Sequence, residues 1–321
     1  MTDYGHDLLF GAFITPAAQQ ARQVVDLAVT ADQAGLDLVS FQDHPYQASF
    51  LDTSTLLAFA AARTERVHLN ANVTSLPLRP PAVLARAAAS LDILSGGRFE
   101  LGIGAGAFWD GIAAMGGRRL GAAQGVTALR EGIEIIREIW DTTAPGEVSY
   151  DGQYYSVKGA RRGPRPAHDI PVWVGAYKPK MLALTGAVAD GWLPSIEYLP
   201  RGVDSIPELN ARIDGAAHDA GRDPAAVRRL MNFMNVQLSS APRGLLNGPP
   251  AAWVDQIVDL ALGHGISAFI IGGDDPSITE RFGAEIAPAV REVVARERTA
   301  GAVARPPRAQ EPRGGVGGPE R

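Results

Sequence analysis

The stretch VHLNANVTSLPLRPPAVLARAAASLDILSGGRFELGIGAGAF, residues 67–108, reads as strand, polar turn, helix and strand in succession. Val67–Val73 and Phe99–Gly104 have the short, largely apolar character of strands covered on both faces. Between them, Ala82–Leu94 repeats apolar residues at Val83, Leu84, Ala87, Leu91 and Leu94, with Pro81 at its start and Gly96-Gly97 past its end, the asymmetry expected of a helix. A strand that returns parallel to its predecessor through a helix is a βαβ unit, and the rest of the chain repeats it.

Further strands are predicted at Leu8–Ile14, Leu36–Gln42, Val172–Gly175, Gly191–Leu193, Leu230–Val236 and Ala268–Gly272, eight in all. Helical patterns fall at Gln20–Ala34, Val126–Trp140, Pro179–Val188, Ile206–Ala220, Ala251–Leu262 and Pro276–Arg298. Eight strands alternating with helical patterns along residues 1–300 predict a single (β/α)8 TIM barrel of the α/β class. An open dinucleotide-binding sheet fits less well, because Gly102, Gly104 and Gly106 lack the third glycine at the spacing of G-x-G-x-x-G. Val148–Val157 reads as a hairpin around Asp151-Gly152, an insertion between the fourth and fifth strands.

Composition narrows the function. The 321 residues contain no Cys, which excludes disulfides, thiol nucleophiles and cysteine-held metals. Six histidines show no H-x-H or H-E-x-x-H spacing, so a metal site is not expected, and neither G-x-S-x-G nor a phosphate-binding P-loop is present. The formal charge is −5, and four arginines against two glutamates in residues 301–321 leave −7 for the remainder. A nucleic-acid partner is therefore not expected. The tail itself, rich in Gly and Pro and free of aromatic residues, is expected to be disordered. The longest apolar run, Leu56–Ala62, is far below the roughly 20 residues of a membrane span. The expected location is the cytoplasm, with no membrane partner.

Barrel enzymes place their chemistry on the loops that leave the C-terminal ends of the strands. The second strand exits into Asp43-His44, a carboxylate beside an imidazole, suited to proton handling near neutral pH. The same two residues also read as a loop aspartate capping its turn beside an incidental histidine. The third strand leaves through Asn72, Val73, Thr74 and Ser75, and the fourth through Gly104-Ala105-Gly106, which either admits a flat ligand or makes a tight turn. The fifth leaves through Gly175-Ala176-Tyr177-Lys178 into a helix. Only three lysines stand against 27 arginines, and Lys178 and Lys180 are two of the three. Lysine at a helix N-terminus suits a phosphate, which is expected at this exit, with a solvated surface pair as the other reading. Asp274-Asp275 disfavours the eighth exit as an anion site.

Together these exits resemble the luciferase-like monooxygenase superfamily, and within it the oxidoreductases that use the deazaflavin coenzyme F420. The resemblance is carried by AGLDLVSFQDH (34–44), the 70–108 segment, VWVGAYKPKMLALTGAVADGWLP (172–194) and AGRDPAAVRRL (220–230), and spans residues 8–298. It implies a barrel binding a flavin-like ring at its mouth, as a homodimer, with a non-prolyl cis peptide at Asn72–Val73. By the same resemblance Ser75 and the backbone of Gly104, Ala105 and Gly106 contact the ring, and Gly175, Ala176, Tyr177 and Lys178 hold the coenzyme's phosphate. Asp43 and His44 lie near the ring, with His44 for proton transfer or substrate orientation. Relatives that oxidise sugar phosphates resemble G-x-G-E after the fourth strand. Ala107 stands there in this chain, and no tryptophan follows the Asp-His pair, so a small, apolar organic substrate is expected, with Phe50, Phe108, Trp109 and Trp192 as lining candidates. FMN with O2 as a monooxygenase, and a non-catalytic coenzyme-binding barrel, are the alternatives.

Overall fold

The computed structural model describes residues 2–303. Eight strands form its centre: Leu9–Ile14 (β1), Leu38–Phe41 (β2), His68–Ala71 (β3), Phe99–Gly104 (β4), Val172–Val174 (β5), Gly191–Trp192 (β6), Arg228–Phe233 (β7) and Ala268–Gly272 (β8). Each pairs in parallel with the next, and β8 pairs in parallel with β1, so the sheet closes into the expected barrel. Around it run Ala21–Gln33 (α1), Thr53–Ala61 (α2), Pro81–Ser95 (α3), Ala122–Trp140 (α4), Pro179–Val188 (α5), Ile206–Asp219 (α6), Pro250–His264 (α7), Pro276–Arg281 (α8) and Ala287–Val303 (α9).

Two apolar cores hold this arrangement. The larger lies between the sheet and the helices, where Val24, Leu27 and Ala28 of α1 and Leu129, Ile133 and Ile136 of α4 face Phe10, Val39 and Leu101. The smaller fills the barrel with Phe13, Leu38, Trp173, Leu193, Leu230 and Ile270. Alternation along each strand sends successive side chains to the two cores, so both faces of the strands are apolar. α3 ends at Gly96, whose φ of 73° is the left-handed conformation that closes a helix without steric cost to glycine.

Several boundaries depart from expectation. α2 was not foreseen, because Leu56–Ala62 is apolar all round and carries no helical period; its signal is Asp52, which caps the helix by accepting from the Thr55 N–H at 2.9 Å. The predicted last helix, Pro276–Arg298, is broken by a π-helical turn at Phe282–Ile286 and extends to Val303. Residues 301–303 thus continue α9, and the rest of the expected disordered tail lies outside the described residues. The hairpin between the fourth and fifth strands is present as Val148–Asp151 paired with Ser156–Ala160, three residues longer than read from the sequence. No described helix is long and apolar enough to cross a membrane.

Candidate active site

The strand exits gather at one end of the barrel, tied to one another by specific contacts. Asp43, buried just past β2, accepts from the Ser75 N–H at 2.9 Å through Oδ2, and from Arg79 Nε at 3.1 Å and Nη2 at 2.8 Å. Arg79 reaches on to Asp52 Oδ1 at 3.1 Å. Burial alone would lower the affinity of this guanidinium for its proton, but the two carboxylates more than offset it and hold the group above its ordinary range. The second and third exits are thereby locked together by a fork-shaped charge-assisted pair.

Beyond β3 the chain is interrupted at Asn72–Val73, whose peptide bond is cis, and resumes pairing with β4 at Thr74–Ser75. The Asn72 side chain and that of Asn232, at the end of β7, exchange hydrogen bonds at 2.8 and 3.2 Å, and Asn232 also donates to Ser195 Oγ at 3.2 Å. Val73 turns its side chain toward two glycines. A Cβ on Gly104 would stand 2.8 Å from Val73 Cγ2, and one on Gly175 3.2 Å from the same atom. The space these glycines leave is filled by Val73, so they fix the position of its side chain. Gly106, at φ 91°, is the tight turn that was the other reading of this exit.

The fifth exit is ordered by Tyr177, whose hydroxyl accepts from the Ser195 N–H at 2.8 Å, and by the Ala176 carbonyl, which accepts from Trp192 Nε1 at 2.8 Å. Trp192 is fully buried by this bond and does not line the mouth, contrary to the sequence expectation. Lys178 is exposed at the N-cap of α5, in extended backbone, with no carboxylate of the described residues within 4 Å. At the eighth exit, Asp274 accepts from the Thr15 N–H and hydroxyl, each at 2.8 Å, and Asp275 caps α8 through the Ser277 N–H, so both aspartates have partners.

His44 does not bond to Asp43. Its Nδ1 lies 2.5 Å from the Tyr46 hydroxyl, and its ring meets those of Tyr46 and Phe108 edge to face, with centroids 5.4 and 5.2 Å away. Burial lowers the imidazole's proton affinity more than the neighbouring Asp43 charge raises it, which leaves His44 neutral below the ordinary histidine range. Ser75 provides the strongest mark of a ligand site: its Oγ is buried and has no partner among the described residues. Among the described residues no group of three or more His, Asp or Glu could hold a metal.

The structure thus brings Asp43, Ser75, Val73, Gly104 and Gly175 into one contact network, and leaves His44 beside it in an aromatic cluster. Arg79 and Asn232 were missed from sequence. Arg79 sits in the turn LPLRPP, where arginine reads as surface, and the one available signal was that a buried Asp43 requires a cation. Asn232 is an amide inside the apolar strand RRLMNF, a placement that demands a partner.

With this geometry in view, the comparisons with known proteins are specific. The family model described as luciferase-like monooxygenase matches residues 4–239. The fold and this match place the chain among (β/α)8 oxidoreductase-type barrels, and it belongs to the luciferase-like monooxygenase family. It is 33% identical over 220 residues to an F420-dependent glucose-6-phosphate dehydrogenase of Gordonia bronchialis, covering 66% of this chain and 63% of that protein. It is also 30% identical over 257 residues to a 5,10-methylenetetrahydromethanopterin reductase of Archaeoglobus fulgidus, covering 79% of this chain and 67% of that one. In fold it is similar to an F420-dependent secondary alcohol dehydrogenase solved with an F420-acetone adduct, with a TM-score of 0.78 at 17% identity over 89% of this chain and 99% of the other.

Proposed function

We propose that the protein is an oxidoreductase that binds coenzyme F420 at the barrel mouth and exchanges hydride between it and a small, uncharged organic substrate. The observation that carries this reading is the Asn72–Ser75 segment, held by Asp43 at Ser75 and by Asn232 at Asn72, with Arg79 pairing Asp43 and a buried Ser75 hydroxyl without a partner among the described residues. The names of the two curated relatives support F420 over FMN.

Asn72, Val73, Ser75 and the backbone of Gly104–Gly106 would hold the ring, and Gly175–Lys178 the phosphate, where a helix N-terminus and a lysine with no carboxylate beside it among the described residues favour an anion. When bound, the coenzyme supplies the electron pair as hydride, and the protein supplies placement and charge. Asp43 and Arg79 fix the floor of the site. His44, neutral and half-buried, holds or passes a proton at the substrate. Ala107 in place of an acid after β4, and the cluster of His44, Tyr46, Phe50 and Phe108, favour an apolar substrate over a sugar phosphate.

Stopped-flow oxidation of reduced F420 by a panel of enones and quinones, with and without O2, tests the activity. Acceptor-dependent oxidation that is indifferent to O2 is expected. Turnover only with reduced FMN and O2 would replace the reading with monooxygenation, and binding without turnover on any acceptor would leave a coenzyme-binding barrel.

A further inference from the structure

Tyr46 is held in one place. A Cβ at Gly111, on the short helix Trp109–Ala114, would stand 2.7 Å from Tyr46 Cγ, so this helix can cover the phenol ring only because residue 111 is glycine. Phe108 packs on the same ring, with centroids 5.9 Å apart, and also on His44. The Tyr46 hydroxyl and His44 Nδ1 share one proton across 2.5 Å. A neutral phenol is a stronger acid than a neutral imidazole N–H, and an imidazole nitrogen is a stronger base than a phenol oxygen, so the hydroxyl donates and Nδ1 accepts. Burial, with the Asp43 charge adding to it, pushes the Tyr46 hydroxyl up to about 12 and keeps it protonated. The ring proton of His44 is left on Nε2, which meets no acceptor among the described residues.

We infer that Tyr46 is a positioning residue that fixes His44 as its Nε2–H tautomer, so that the site selects substrates presenting an uncharged acceptor oxygen between His44, Phe50 and Phe108. The tautomer follows from the His44–Tyr46 contact and the relative acidities of phenol and imidazole, and the substrate class rests on the oxidoreductase reading. For an enone, hydride from the reduced coenzyme forms a C–H bond at the β-carbon, the double bond shifts, and the carbonyl electron pair moves to oxygen. The oxygen takes the Nε2 proton as Nδ1 takes the phenol proton; Nε2 then takes a proton from solvent as Nδ1 returns its own to the phenol oxygen, which restores the Nε2–H tautomer and the protonated Tyr46. The enol released becomes the saturated ketone. Which ring nitrogen carries the proton is set by the bond the other one makes, and that bond belongs to Tyr46 here.

Long-range proton–nitrogen NMR of the histidine-labelled apoprotein at neutral pH reads the tautomer without substrate or coenzyme, with the His44 signals assigned by their loss in His44→Gln. The wild type is expected to show the Nε2–H pattern, and Tyr46→Phe to shift it toward a mixture. An Nδ1–H pattern in the wild type, or an unchanged pattern in Tyr46→Phe, overturns the assignment. With cyclohex-2-enone and reduced F420, Tyr46→Phe is expected to lower kcat by roughly tenfold or more while the coenzyme Kd stays constant. Equal kcat in both proteins overturns the positioning role. Absence of wild-type turnover alongside the expected NMR pattern overturns the substrate class and the oxidoreductase reading, and leaves the tautomer standing.

Discussion

Asp43 is the residue on which the candidate site depends most, since its side chain is 1% exposed and its charge is matched mainly by Arg79. Removing one partner of such a pair strands the other, which costs about 3–5 kcal/mol. Arg79→Leu is therefore expected to lower the unfolding free energy from urea titration by that amount, and Asp43→Asn in the same chain to recover part of it. A loss under about 1 kcal/mol would show that Asp43 is satisfied by the Ser75 N–H alone. His44 makes a different kind of contribution. His44→Ala is expected to lower kcat by about 10²–10⁴ with little change in coenzyme affinity, as measured by steady-state rates and fluorescence titration. Because burial holds its proton affinity low, the neutral form persists as pH falls through the ordinary histidine value, and wild-type kcat is expected to hold steady there. A decline that tracks an unshifted imidazole would place His44 in open water. Asp43 and His44 were both legible as an adjacent pair on a strand exit. Their separate partners, Arg79 and Tyr46, were not, because adjacency in sequence does not say which way neighbouring side chains turn.

At the scale of elements, the insertion between β4 and β5 shows how a buried charge can anchor a loop. Glu131, on the inner side of α4, accepts from the backbone N–H groups of Gln153, Tyr154 and Tyr155 at 2.8, 2.9 and 3.0 Å, and so holds the tip of the hairpin. The hydroxyl of Tyr150 adds a bond to Glu134 at 2.6 Å. Glu131→Ala leaves three donors without this acceptor, and faster amide hydrogen exchange at residues 153–155 is expected, with exchange in β4 and β5 unchanged. Uniform exchange rates across variant and wild type would mean that the hairpin is held by its own pairing. The eight strands and most helices were legible because apolar runs and the 3.6-residue stripes in α1 and α4 survive into burial; in α3 the stripe read from the sequence does not, since Val83, Ala87 and Leu94 are exposed and Leu84, Ala85, Ala88 and Ala89 face the core. α2 was hidden by its uniform apolarity, and the π-helical turn at Phe282–Ile286 has no period of its own to read.

Across the whole molecule, the N-terminal segment closes the far end of the barrel. Arg298 of α9 pairs with Asp3 at 2.8 Å and donates to the His6 carbonyl at 3.0 Å, and Arg228 donates to the Asp7 carbonyl at 2.7 Å. Burial, with the charges of Arg228 and Arg229 adding to it, pulls the His6 imidazole down to about 4. In the unfolded chain the same ring takes a proton near 6.5. The unfolded state therefore binds the proton first, and the stability His6 contributes is complete above that value and is lost as pH falls toward 4. A plot of Tm against pH is expected to fall more steeply over this interval for the wild type than for His6→Gln, and coincident plots would contradict the shift. The closed barrel also gathers its strand exits at one end, and the claim made for that end is that it binds F420. Titration of the purified protein with F420 and with FMN, followed by coenzyme fluorescence, tests it most directly. The expected result is tighter binding of F420 than of FMN, weakened by about 1–3 kcal/mol in Lys178→Ala, the range of one charge-assisted hydrogen bond. Binding of FMN alone, or of neither, would contradict it.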